Sequence, residues 1–283
     1  MTTRLMWVAA VLAAVAAAAG LVVRGLYRDA PFWADQARGT DIATLFLAVP
    51  ILVGGLVAAR RGSTIARLAS IAALLYLVYN YAIFSFSVAM NPLTPAYIAI
   101  LGLAVWSLFL ALSELDLDRA AAAVERRVRR RSSGAALIVV AAVFALLWLG
   151  QIASATATGV LPPDLVRAEL PTNPIYALDL GLFLPLCVVA GVALLRRTPL
   201  AAFALPMLIW LFLTSVGVFA GFVIPALRGE AFAVVPAAVV GSIGAVVGVL
   251  ATLVLRPVDK ERELTRARNG RLARFRDETA EAG

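Results

Sequence analysis

Residues 199–226 read PLAAFALPMLIWLFLTSVGVFAGFVIPA, a run without one charged side chain. A helix of about 20 apolar residues crosses the hydrocarbon core of a bilayer. Within such a helix every backbone amide and carbonyl finds its partner along the same segment, so no water is needed. The run is therefore read as a membrane span. The same test finds apolar runs near residues 5–26, 42–59, 64–86, 94–113, 134–155, 175–195, 199–226 and 231–255. None alternates apolar and polar residues as a β-barrel strand does. The expected fold is all-α transmembrane, an eight-helix polytopic bundle.

Composition agrees. The chain of 283 residues is 62% hydrophobic and 15% charged, against about half and a quarter for a soluble domain. Its mean hydropathy is +0.92. The net charge of +8 would suggest nucleic acid in a soluble protein. Here 20 of the 25 basic residues flank the spans on one side: Arg4, Arg60, Arg61, Arg67, the stretch Arg119 to Arg131, Arg196, Arg197 and the tail from Arg256. The positive-inside rule places that side, with both termini, in the cytoplasm. With no separate basic domain, nucleic acid is not an expected partner. Alanine and arginine richness, with Lys260 the single lysine, suggests a bacterial chain, hence the inner membrane. Lys260 lies beyond the last span, so a retinal Schiff base is excluded. There is no histidine and one cysteine, Cys187. Histidine-based metal, haem and acid–base sites are thereby removed, and no cofactor or metal is expected.

Two segments resemble each other. DIATLFLAVPILVGGLVAARRGS begins at Asp41 and DLGLFLPLCVVAGVALLRRTP at Asp179. Each runs from aspartate through Leu-Phe-Leu, proline and glycine to an Arg-Arg pair, 19 and 17 residues on. This suggests two parallel four-span halves, residues 1–133 and 134–255, related by an axis along the membrane normal, with a basic tail over 256–283. The basic start and small residues of the first segment also allow a cleaved signal peptide. Pro50, Pro185, Pro206 and Pro236 lie inside apolar runs and are expected to bend them. The stretch DRAAAAVERRVRRRSS and the tail, with Leu264, Leu272 and Phe275 among arginines, are expected to meet anionic inner-leaflet lipids. GSIGAVVG in the last span reads as a helix-packing face.

Polar side chains inside a span are costly and mark candidate sites. Here they gather toward the outer half, which suggests a polar cavity open to the outside above aliphatic packing. Tyr76, Asn80 and Ser87 share one face of the third span by their spacing. Asn80 lies roughly 24 Å from the cytoplasmic start of its helix. Asp179 enters the sixth span, with Arg24 as a candidate ion-pair partner. Asp41 is expected to cap its helix. Asn91, Gln151, Asn173 and Tyr176 complete the ligand-binding candidates. The loops NPLTPAY from Asn91 and LPPDLVRAELPTNP from Leu161 read as rigid turns.

The Tyr79-Asn80-Tyr81 segment followed by Asn91-Pro92, and the segment Asn173-Pro174-x-Tyr176-x-x-Asp179, resemble a group of uncharacterised bacterial integral membrane proteins. The resemblance implies the multi-span topology and the choice of Asn80, Asn91, Asn173 and Asp179. It implies no activity.

The leading expectation is a membrane protein that binds or transports a small molecule or lipid through an outward-facing polar cavity. A structural or partner-binding subunit without a ligand is the rival. An enzyme on a lipid-linked substrate would need Asp41, Asp179 and Glu230 to converge; no catalytic residue is otherwise assigned.

Overall fold

The computed structural model describes residues 2–255, so the basic tail lies outside the described residues. Eight helices are long and apolar enough to cross a membrane. The described residues contain no strand, and the architecture is an all-α polytopic bundle.

Span 1 is α1 (Thr2–Val22). Span 2 comprises α2 (Pro31–Ala43), a π turn (Thr44–Ala48) and α3 (Val49–Ala59). Spans 3 and 4 are α4 (Thr64–Ser87) and α5 (Thr94–Ser113). A short helix α6 (Leu117–Glu125) precedes span 5, α7 (Arg130–Thr158). After α8 (Pro163–Ala168), span 6 runs through α9 (Pro174–Leu178), a second π turn (Asp179–Phe183) and α10 (Leu184–Arg196). Span 7 is a 3-10 turn leading into α11 (Ala204–Leu227), and span 8 is α12 (Val234–Leu255).

Proline chemistry explains the breaks. A proline has no amide hydrogen and its ring presses on the carbonyl four residues back. Before Pro50, the amide of Val49 reaches five residues back to Thr44 O. Before Pro185, the amide of Leu184 reaches five back to Asp179 O. The two π turns therefore occupy the same register relative to their prolines. Pro206 and Pro236 instead stand in the first turns of α11 and α12, after 3-10 turns, where the missing hydrogen costs nothing.

Span 3 is the centre, with 89% of its apolar window buried, and span 5 the periphery, with 11%. The α4 helix packs on α3, α5 and α11, and α11 packs on α2 and α12. Glycines set the close approaches. A Cβ on Gly39 would stand 2.6 Å from Gly221 Cα. Gly241, Gly244 and Gly248 of α12 receive Phe219, Ser215 and Phe212 of α11, so the GSIGAVVG stretch is a packing face. On α7 only Ser133, Gly134, Leu137 and Ala141 are buried. Its first half is held to α10 by the Gly134–Gly191 contact. Its second half keeps Trp148 and Gln151 against span 6 and exposes Leu146 and Leu149.

One boundary differs from the sequence reading. Span 2 begins at Pro31, so Asp41 sits well inside the helix instead of capping it. Asp35 and Asp41 lower the hydropathy of this stretch, yet both are buried against protein, where polarity is compensated by partners instead of by water. In α6 the apolar residues Ala120, Ala121 and Val124 are buried, and the helix packs on the 199–203 turn and α4. Its apolar face is thus spent on protein.

Candidate functional site

The candidate residues separate into three groups, all toward the arginine-poor end of the bundle.

The first group surrounds Asp41. The Tyr27 hydroxyl, from the connection after α1, donates to Asp41 Oδ2. Gly20 of α1 makes the room: a Cβ there would overlap the Asp41 carboxylate and come within 2.5 Å of Tyr27 Oη. Burial first, and the Asp41 charge second, push the Tyr27 phenol well above the usual tyrosine range, so it remains a donor. The Arg38 guanidinium lies 5.8 Å from the Tyr27 ring centre. On α4, the Tyr76 hydroxyl donates to Thr40 O at 3.0 Å and lies 3.3 Å from Thr44 Oγ1. These bonds tie spans 1, 2 and 3 together. Asn80 is buried one turn from Tyr76, and its Nδ2 has no hydrogen-bond partner.

The second group is a clamp at the rim. Arg228 Nη1 donates to Asp35 Oδ1 at 3.1 Å and Arg228 Nη2 to Asp35 Oδ2. Arg38 Nη1 adds a bond to Asp35 Oδ1 at 3.2 Å, and Glu230 Oε1 accepts from Arg228 Nη2 at 3.0 Å. The sequence reading missed Asp35, because it placed residues 27–41 in a loop.

The third group joins spans 5 and 6, which run antiparallel. Trp148 Nε1 donates to Asp179 Oδ2 at 2.8 Å. One turn further out, the Tyr176 hydroxyl donates to Gln151 Oε1 at 2.5 Å. The Trp148 and Tyr176 ring centres are 5.3 Å apart. Two residue pairs at i, i+3 spacing therefore meet across the interface. Trp148 was not among the sequence candidates, although its spacing to Gln151 matches that of Tyr176 to Asp179. Behind Asp179 stand Tyr79, Phe183 and Trp210. Phe183 and Trp210 stack with centres 4.6 Å apart, and Tyr79 meets both edge-on. Asp179 is 6% exposed, and its Oδ1 has no hydrogen-bond partner. Trp210 Nε1 is likewise buried without one.

A cleft of about 410 Å³ opens above this group, lined by Gln151, Ser154, Thr158, Leu161 and Pro162 among others. The last turns of α7 form one wall and the connection to α8 the other. Side-chain contacts link Gln151 of the cleft through Tyr176 and Trp148 to Asp179 Oδ2, and Asp179 itself lies beneath the cleft lining.

The remaining candidates have local roles. Asn173 Oδ1 caps α9 by accepting from Ile175 N at 3.0 Å. Asn91 Oδ1 accepts from Leu93 N at 2.9 Å within its own turn. Ser87 offers its backbone carbonyl to Trp33 Nε1 at 3.0 Å. The expected Arg24–Asp179 pair is not formed. Arg24 is exposed in the connection after α1, and Asp179 is held by Trp148 of span 5 instead. Asp41, Asp179 and Glu230 each have a different partner and do not converge. Among the described residues no three acids or thiols are grouped to hold a metal.

No protein-family model, curated protein or solved structure matches this chain.

Proposed function

We propose that the chain binds, and carries or holds, a small molecule or lipid that enters at the cleft beside Gln151. The observation that carries this reading is the series Gln151–Tyr176–Trp148–Asp179, which ends in a buried carboxylate whose second oxygen, Oδ1, makes no hydrogen bond. A buried acceptor left unsatisfied costs about 1–3 kcal/mol. A ligand that donates to it recovers that cost. The arginine-poor end, which holds the cleft, faces the outside in this reading, and the arginine-rich end faces the cytoplasm of a bacterial cell. Exposed Arg129, Arg131, Arg196 and Arg197 would there meet anionic lipid headgroups.

The rival role of polar residues as helix clamps is favoured for the first two groups. Tyr27, Asp41, Tyr76 and Asp35 all bond to protein across helices. The assignment therefore narrows to Gln151, Tyr176 and Asp179, while Tyr76 becomes a clamp and Asn80 keeps its unpartnered amide.

Native mass spectrometry of the gently purified protein tests the reading. Wild type should carry a bound mass that Asp179→Asn loses and Thr44→Val retains. Bare protein in all three, or the same mass in all three, would contradict it.

A further inference from the structure

We infer that the ligand presents a cationic nitrogen to Asp179, as an amine or ammonium group. The inference rests on the binding role proposed above and names its chemistry.

Asp179 Oδ2 accepts from Trp148, and Oδ1 makes no hydrogen bond although the Tyr79 hydroxyl stands beside the carboxylate. Among the described residues no arginine forms an ion pair with Asp179. Its polar surroundings are Trp148 and the Tyr79 hydroxyl. A carboxylate inside a span is expensive to ionise without an opposite charge, and a bound cation would supply that charge.

The walls agree with that charge. Trp148 and Tyr176 stand between the cleft and the carboxylate, and Tyr79, Phe183 and Trp210 stand beyond it. Aromatic faces carry negative quadrupoles that attract ammonium groups, most strongly where water is excluded. An anion would meet the carboxylate directly. The cleft itself carries no charged lining residue, so nothing there repels a cation. Exposed Leu146 and Leu149 on the same helix give an attached acyl or alkyl chain an apolar surface to follow.

An amine could come from water or from a lipid headgroup, and one experiment separates the two. Purified full-length protein is titrated with octylammonium, octyl sulfate and octanol, reading tryptophan fluorescence. It is then reconstituted in nanodiscs of phosphatidylethanolamine or phosphatidylglycerol, and the octylammonium titration is repeated. Octylammonium should bind saturably and at least about tenfold more tightly than the other two probes. Asp179→Asn should lose that preference while melting as a folded protein, and Trp148→Phe should weaken it. Competition by phosphatidylethanolamine supports a lipid source, and its absence supports a soluble amine. Equal affinity for the three probes, or cation binding unchanged in Asp179→Asn, overturns the inference while leaving the binding role standing. No saturable binding of any probe, together with no bound mass in native spectrometry, overturns the binding role itself.

Discussion

Replacing Gly39 with alanine should loosen the seam between spans 2 and 7. The new Cβ would stand 2.6 Å from Gly221 Cα, with Gly221 N and Gly217 O closer still. All three are backbone atoms of α11, so no side chain can rotate away. Ordinary contact requires about 3.4 Å or more, so the helices must part by about 1 Å or slightly more. Overpacking of a rigid interface costs about 3 kcal/mol at the upper end of the usual range. Alanine returns about 1 kcal/mol of helix propensity, for a net loss of about 2 kcal/mol. In a chain of this size that is about 4–8 °C in melting temperature. The same separation strains the Arg228–Asp35 clamp and the Phe32–Phe222 contact at 5.7 Å. Cys187 is fully buried and the single cysteine, so a thiol-reactive fluorophore reports unfolding directly. Gly54→Ala is the control, because a Cβ there meets nothing within 4 Å. It should melt at or slightly above wild type. If Gly39→Ala melts with Gly54→Ala, the close packing of α2 on α11 is wrong.

Three further outcomes follow from the same contacts. Arg228→Ala leaves the buried Asp35 with Arg38 alone and should cost about 1–3 kcal/mol; Arg228→Ala/Asp35→Leu should recover most of it, and an additive double mutant would contradict the pairing. The Tyr27 phenol lies above its unfolded value, so its contribution is present below about pH 10 and is lost as pH rises further. Melting temperature should fall above that point, less steeply in Tyr27→Phe than in wild type; equal slopes count against the buried Tyr27–Asp41 bond. Pro185→Ala restores an amide able to bond Gly181 O, which should relax the π turn and turn Asp179 away from Trp148, read as a change in tryptophan emission that Pro206→Ala does not produce.

The spans were legible because bilayer-length runs such as 199–226 carry no charge. The start of span 2 was not. Hydropathy treats Asp35, Arg38 and Asp41 as exposed residues, whereas Arg228 and Tyr27, far away or across a turn, satisfy the two aspartates. Gln151, Tyr176 and Asp179 stood out as polar residues inside spans. Their convergence did not, because it depends on how far α7 and span 6 slide past each other. Trp148 escaped notice for a chemical reason: an indole in an apolar run reads as a lipid-facing or interfacial anchor, and only a structure shows its ring N–H reaching a carboxylate. The pairing of Asp41 with Asp179 along the chain also changes when the prolines are aligned. The matching π turns then set Thr44, not Asp41, opposite Asp179.

Cryo-electron microscopy of the protein, purified gently with its native lipids, would image a ligand at Asp179. The expected result is non-protein density within hydrogen-bonding distance of Asp179 Oδ1, flanked by Trp148 and Tyr176 and reaching the cleft at Gln151. A well-resolved map in which protein side chains alone close around Asp179 Oδ1, with no density between it and the cleft, would contradict it.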